Sequence, residues 1–143
     1  MGLLLRSAWQ EDIKYVGKAS LFKWPFGGFF KWLGGYPVDR SKRGNFVDAV
    51  VDIFNSKESF RMAIAPEGTR KKVKELKTGF YYIAQKAKIP ILLCQFDYAN
   101  KKVVISEPFH PTEDTEADLH HIKTFFSGTL GQVPKNSYFY PAD

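Results

Sequence analysis

The chain has 143 residues, of which 44% are hydrophobic and 25% are charged. This composition is ordinary for a globular protein and excludes wholesale disorder. The length fits one domain with its own core, so we expect a single domain over residues 1–143. The longest purely apolar run, Ile89 to Cys94, is too short to cross a bilayer, which needs about 20 residues. A single cysteine excludes an internal disulfide, and together these features predict a soluble or peripheral intracellular domain.

The positive charge is unevenly distributed along the chain. The net charge is +6, but residues 1–106 contain 19 Lys or Arg against 9 Asp or Glu, whereas residues 107–143 contain 2 against 6. This imbalance predicts one face that meets an anion, which could be nucleic acid, an anionic lipid or a phosphorylated substrate. We expect no nucleic acid, because no recognition motif accompanies the charge.

The hydrophobic pattern predicts alternating strands and helices. The predicted strands are residues 13–16, 36–38, 60–65, 89–96 and 102–106, and the predicted helices are 3–9, 45–54, 79–88 and 116–126. Asn45 and Thr78 are expected to cap two of these helices. Residues 89–96 resemble a strand covered on both faces and should form a hairpin with 102–106. Because successive strands in strand–helix–strand units run parallel, we predict an α/β fold with a mainly parallel sheet flanked by helices.

Six aromatic residues lie within the eleven residues from Phe22 to Trp32, interrupted by Lys23 and Lys31. Aromatic rings beside lysines are typical of a patch that docks on a membrane. Alternatively, most of these rings fill a core with the lysines at its rim. The sequence leaves both interpretations open.

The segment Pro66-Glu67-Gly68-Thr69-Arg70 directly follows a predicted strand. Gly68 allows a sharp turn and close approach of a ligand, and Arg70 offers a planar donor pair that matches phosphate. Free backbone N–H groups and the Thr69 hydroxyl would add donors, while Glu67 could orient Arg70 or accept a substrate hydroxyl. The alternative is an ordinary surface turn.

A second arginine, Arg40, ends the segment Gly35-Tyr36-Pro37-Val38-Asp39-Arg40. Parallel strands end at one edge of a sheet, where open α/β folds bind ligands. We therefore expect Arg40 beside Arg70, so that two guanidinium groups converge on one phosphate dianion. The alternative is that Asp39 pairs with Arg40 or Lys42 at the surface.

These motifs resemble those of the glycerolipid acyltransferase family, the 1-acylglycerol-3-phosphate (lysophosphatidate) acyltransferases and their relatives. Residues 18–40 are similar to the second block of the family, Ala65-Pro66-Glu67-Gly68-Thr69-Arg70 to the third, and Ile89-Pro90-Ile91 to the fourth. The resemblance covers about residues 1–109 and leaves 110–143 as a C-terminal helix and tail.

The resemblance implies an enzyme of phospholipid biosynthesis that transfers an acyl chain from acyl-CoA or acyl carrier protein to a lysophospholipid acceptor. It implies no metal and no cofactor beyond this thioester donor, and a location in the cytoplasm, peripheral on the inner face of the membrane. The positions that match substrate-binding residues of the family are Arg40, Glu67, Gly68, Thr69 and Arg70, with Lys18 as a further basic candidate.

The catalytic first block of the family, His-x-x-x-x-Asp, has no counterpart in the sequence. The three histidines, His110, His120 and His121, are followed five residues later by Thr115, Phe125 and Phe126. We therefore expect an N-terminally truncated or degenerate copy of the enzyme, with no catalytic residue of its own and little activity in isolation. The alternative is a non-catalytic remnant that binds phospholipid or membranes.

Three other features have weaker functional interpretations. The basic run formed by Arg70, Lys71, Lys72, Lys74 and Lys77 could be a solvated loop, a site for anionic lipid or a nucleic-acid contact. Cys94 lies in an apolar segment and is expected to be inert. Adjacent histidines on a helix point about 100° apart, so His120 and His121 predict no metal site.

Overall fold

The computed structural model describes residues 13–18, 23–25, 27–32, 34–38, 43–69 and 71–140. The chain forms two compact units, Met1–Ile64 and Ala65–Asp143. The predicted helix over residues 3–9 lies outside the described residues.

The first unit contains a three-stranded parallel sheet. Its strands are β1 (Ile13–Lys18), β2 (Gly35–Val38) and β3 (Arg61–Ala63), and its helices are α1 (Gly27–Trp32) between β1 and β2 and α2 (Arg43–Asn55) between β2 and β3. The strand order is β2-β1-β3, and both outer strands run parallel to β1. The predicted alternation and the parallel direction of these strands are therefore confirmed.

The central strand β1 fixes the register of the sheet. Tyr15 lies opposite Gly35 on one side and opposite Ala63 on the other. The outer position of β2 explains how the sheet tolerates Pro37, because a proline has no N–H to donate and is confined to edge strands. β1 is thus the central strand, and β2 and β3 are the two edge strands of the sheet.

Helix α2 supplies the apolar side of the first unit. Val50 is fully buried, and Phe54 packs edge-on against Phe60, whose ring in turn meets Tyr36 at 5.3 Å. This is the apolar stripe that the sequence predicts. The helix begins at Arg43, two residues before Asn45, so the predicted N-cap is wrong.

The second unit combines two helices and a hairpin. Its elements are α3 (Gly79–Ala87), β4 (Cys94–Asp97), β5 (Lys102–Ile105), α4 (Thr115–Phe126) and a 3₁₀ turn at Pro134–Asn136. The core consists of Tyr81, Leu93 and Ile122, surrounded by half-buried Phe80, Ile91, Phe109, Leu119, Phe125 and Phe126. The predicted inward stripe of α4 is confirmed at Ile122, which is 1% exposed.

Helix α3 begins at Gly79 as predicted but differs from its prediction in its buried face. Thr78 occupies the predicted N-cap position, although its side chain makes no capping hydrogen bond. Tyr81 is fully buried although the apolar pattern does not single it out. Its hydroxyl reaches Asp118 on α4, a long-range partner that local periodicity cannot reveal.

The apolar run at residues 89–96 does not form the predicted doubly covered strand. Only Cys94–Asp97 is extended as β4, which pairs antiparallel with β5, and every residue of β5 is exposed. Of the remaining residues, Ile91 bridges to Phe109 and Leu93 enters the core, whereas Leu92 is 53% exposed. The hairpin itself is confirmed. The fold is therefore mixed α/β, with a parallel sheet of three strands and a separate antiparallel pair.

Among the described helices, none combines the length and apolar character needed to cross a bilayer. The longest described helix, α2, has 13 residues.

Candidate anion-binding site

Three of the predicted site segments lie in the sequence at or just after the carboxyl ends of the parallel strands. Lys18 is the last residue of β1 and lies opposite Val38, the last residue of β2. Arg40 follows β2 by two residues, and the Glu67–Arg70 segment follows β3. All three strands end toward the same edge of the sheet, as predicted.

The strand order separates the strands that precede the two arginine segments. The strands that precede Arg40 and Arg70 are not neighbours, because β1 lies between β2 and β3. Two strand spacings separate the outer strands by about 10 Å. The chain passes from one side of β1 to the other, which is the reversal of strand order where open α/β sheets bind ligands. Lys18 therefore ends the strand that lies between the other two.

Arg40 and Arg70 lie outside the described residues, as does Asp39. Their convergence on one phosphate, and the alternative pairing of Arg40 with Asp39, both stay predictions.

The turn at residues 65–69 shows why glycine occupies position 68. Gly68 has a φ of +63°, in the left-handed region that favours glycine. Its N–H donates to the carbonyl of Ala65 at 3.1 Å. The predicted sharp turn is confirmed, but the expectation of a free N–H is wrong for Gly68, because that donor closes the turn.

Thr69 and Glu67 lie on either side of Gly68 in this turn. Thr69 is exposed, and its Oγ1 accepts a hydrogen bond from the Lys71 N–H at 3.3 Å. A hydroxyl that accepts one hydrogen bond retains its own hydrogen for donation, so Thr69 remains available to a ligand. Glu67 is half-buried. Its predicted roles toward Arg70 or a substrate hydroxyl stay predictions.

Lys77 is the cation that the fold holds against this turn. Its backbone N–H donates to the carbonyl of Pro66 at 2.8 Å. Its side chain crosses Gly68, so that a Cβ built on that glycine would lie 2.6 Å from Lys77 Nζ and 3.1 Å from its Cδ. In the sequence Lys77 is one of five cations in a basic run, and spacing alone does not distinguish it from the others.

The rest of the basic run has different surroundings. Lys72 Nζ lies 5.9 Å from the centre of the Phe139 ring, and Lys71 and Lys74 are exposed. Glu75, the one acid within the run, forms an ion pair of 3.0 Å with Lys123 on α4. This pair holds the loop to α4, so Glu75 is engaged away from the loop cations.

The surroundings of Cys94, His120 and His121 favour structural roles for these residues. Burial raises the pKa of the Cys94 thiol, which disfavours the thiolate that a nucleophile requires. The His121 ring packs near Phe109, and His120 Nδ1 lies 3.2 Å from the Tyr140 hydroxyl. In the described part of the chain, no group of three potential metal ligands occurs.

The aromatic segment around α1 is exposed where its side chains are described. Trp24 is 93% exposed, Trp32 76% and Phe29 56%, and the rings of Phe29 and Trp32 lie 6.2 Å apart. The core interpretation is therefore wrong for these three residues. Phe22 and Phe26 lie outside the described residues.

Comparison with known proteins identifies the family. Searches of curated proteins and of solved structures found no significant match. A family model described as Acyltransferase matches residues 1–96, a stretch that contains the Arg40 segment, the Glu67–Arg70 turn and Lys77. Because this match covers about two-thirds of the chain, and because the motifs occur in the order that the resemblance predicts, the chain belongs to the acyltransferase family.

Proposed function

We propose that this protein acts in phospholipid biosynthesis, transferring an acyl chain from acyl-CoA or acyl carrier protein to the free hydroxyl of a 1-acylglycerol-3-phosphate. Membership of the acyltransferase family supports acyl transfer in general. The phosphorylated acceptor is supported by one observation above the others: the matched region carries Arg40 and the Glu67–Arg70 turn after parallel strands that end toward the same edge.

In this proposal the cationic residues bind the phosphate of the acceptor. Arg40 and Arg70 neutralise it, Lys18 adds positive charge, and the exposed Thr69 hydroxyl donates a hydrogen bond. Gly68 permits close approach of the headgroup, and Glu67 orients Arg70 or the glycerol. Holding the phosphate positions the neighbouring hydroxyl for attack on the thioester carbonyl, and orientation of this kind lowers the barrier of a bimolecular reaction. The acyl group passes directly to the acceptor, and the thiol of the donor leaves.

Proton removal from the attacking hydroxyl requires a general base. None of the three histidines has an aspartate five residues later, so we assign no catalytic residue within these 143 residues. A general base contributes about 10²–10⁴-fold to the rate. We therefore propose that this chain alone binds the acceptor and lacks most of the turnover. No metal or additional cofactor takes part.

A lipid acceptor requires access to a membrane surface. We propose that the protein is cytoplasmic and binds the inner face of the membrane peripherally through the exposed rings of Trp24, Phe29 and Trp32. Lys23 beside them is also exposed and adds attraction to anionic lipid. Aromatic residues favour the region of the lipid headgroups.

The second candidate function is a non-catalytic module that holds phospholipid or docks on membranes. The absence of a His-x-x-x-x-Asp pair from the sequence favours it. It shares the anion site with the enzyme proposal and differs only in turnover.

A turnover assay distinguishes the two candidates. The chain and a version extended upstream to include a His-x-x-x-x-Asp segment are compared with lysophosphatidate and either acyl-CoA or acyl carrier protein as donor. Activity in the extended version only supports the enzyme, whereas inactivity of both versions with intact acceptor binding supports the non-catalytic module.

The acceptor site is tested by equilibrium binding of lysophosphatidate. Arg70→Ala should abolish this binding, because the variant lacks the guanidinium group that donates two hydrogen bonds to the phosphate. Lys74→Ala, in the same loop, should bind lysophosphatidate as the wild type does. Unchanged affinity in Arg70→Ala would remove Arg70 from the site. Salt-sensitive binding of mixed-sequence DNA with none of lysophosphatidate would instead indicate a nucleic-acid function.

A further inference from the structure

We propose that Lys77 is a ligand for a phosphate monoester at the Glu67–Thr69 turn. This inference rests on the proposed function, which places a phosphorylated substrate at that turn, and adds a cation that the motif itself does not contain. Lys77 follows Thr69 by eight residues, and the fold brings it back to the turn.

Two contacts fix Lys77 relative to the turn. The backbone hydrogen bond from its N–H to Pro66 anchors the start of the side chain at 2.8 Å. The side chain then crosses Gly68, with Nζ and Cε closest to the glycine. The ammonium group therefore lies over Gly68 at the exposed side of the turn.

Within the described residues, no carboxylate forms an ion pair with the Lys77 ammonium group. Glu75, the acid nearest to it in sequence, pairs with Lys123 instead. The Gly68 N–H is already bonded to Ala65, so the ammonium with its three donor hydrogens becomes the charged donor that the described part of the turn offers to an anion.

The neighbouring lysines lack this arrangement. Lys72 lies over the ring of Phe139, and the N–H of Lys71 donates to Thr69 Oγ1. Lys71 and Lys74 are exposed, as Lys77 is, but the side chain that passes over Gly68 is that of Lys77. The contrast makes Lys74 a matched control, because it has the same charge and lies in the same loop.

The path of the Lys77 side chain is a second reason for a glycine at position 68. A side chain at position 68 would occupy the space through which Lys77 passes, since even its Cβ would come within 2.6 Å of Nζ. Glycine therefore satisfies the left-handed backbone and leaves the path of the lysine open. The turn and the lysine act as one unit.

The test measures binding of three ligands to the full chain and to Lys77→Met, Lys77→Arg and Lys74→Met. The ligands are 1-oleoylglycerol-3-phosphate, the same lipid without phosphate, and acyl-CoA. Loss of a charge-assisted hydrogen bond should weaken phosphate binding about 10-fold or more in Lys77→Met. Lys77→Arg should recover most of the affinity, Lys74→Met should match the wild type, and the neutral lipid should bind all four proteins alike.

Each result bears on the proposal. Weakening confined to the phosphorylated lipid supports Lys77 as a ligand of the acceptor headgroup, and weakening confined to acyl-CoA supports it as a ligand of a donor phosphate. Equal phosphate affinity in the wild type and Lys77→Met overturns the assignment of Lys77 alone. Equal weakening for the neutral lipid overturns it in favour of a structural role. A wild-type chain that binds neither phosphorylated ligand overturns the proposed function itself.

Discussion

The Tyr81 hydroxyl donates a hydrogen bond of 2.8 Å to Asp118 Oδ2 and thereby joins α3 to α4 inside the second unit. Asp118 is 5% exposed, and it also accepts hydrogen bonds from the N–H and the hydroxyl of Thr112 at 2.6 and 3.0 Å. Burial raises the pKa of the Tyr81 phenol, so its proton is retained for this bond. The buried carboxylate is thus satisfied, which a stable interior requires.

Tyr81→Phe should destabilise the protein by about 1.5–3 kcal/mol, because it removes a hydrogen bond to a charged group. The free energy of unfolding in urea measures this change. Tyr82→Phe is the matched control, since Tyr82 is the adjacent residue and is partly exposed. A loss of equal size in both variants would show that the bond to Asp118 is not responsible.

Gly68→Ala should destabilise the protein through two separable effects. The first is the left-handed backbone, which costs a residue with a Cβ about 1–2 kcal/mol. The second is the contact of the new Cβ with the Lys77 side chain. Gly128→Ala isolates the first effect, because Gly128 has a φ of +76° and open space around its Cα.

The contact is tested by combining Gly68→Ala with Lys77→Ala and measuring unfolding in urea. The double variant should lose less stability than the two single losses added together, because the truncated lysine no longer meets the new Cβ. Additive losses would mean that the lysine does not cross the glycine in solution.

Trp24→Ala combined with Trp32→Ala should weaken membrane binding several-fold. The reason is that two exposed rings that favour the lipid interface are lost together. Co-sedimentation with phosphatidylcholine vesicles, with and without phosphatidylglycerol, measures the effect. Tyr98→Ala is the control, since Tyr98 is an exposed aromatic residue of the second unit. Equal weakening in the control would contradict a specific patch at α1.

The Cys94 thiol should react slowly with iodoacetamide in the folded protein. Burial raises its pKa, so at about pH 8.5, where an ordinary thiol is half ionised, the folded chain contains less thiolate. The rate of alkylation should be higher in urea, where the chain is unfolded, than in the folded protein. The pH at which this rate reaches half of its maximum should be lower in urea. Because Cys94 is the single cysteine, mass spectrometry reports it directly.

The same shift couples Cys94 to stability. As pH rises past the ordinary thiol pKa, the unfolded chain ionises first. The stabilising contribution of the neutral thiol is therefore complete below that pKa and is lost as pH rises through the folded-state pKa. Identical alkylation profiles in the folded and unfolded chains would contradict the burial of the thiol.

Local patterns predicted the elements whose signals lie within a few residues. The α2 stripe around Val50, the hairpin between β4 and β5, and the turn at Gly68 all depend on short spacings and on backbone preferences of single residues. The cap at Asn45 was wrong because α2 begins at Arg43, and Thr78 occupies the predicted N-cap position without a capping hydrogen bond from its side chain. The buried position of Tyr81 was missed because its partner lies 37 residues away in the sequence.

The sequence alone determined the family motifs, the parallel direction of the first three strands and the need for glycine at position 68, because each depends on local chemistry or on a general rule of chain connection. Tertiary structure decided the strand order that separates β2 from β3, the exposure of Trp24 and Trp32, and the passage of Lys77 across the turn. These features depend on which distant segments meet, and no local spacing encodes that choice.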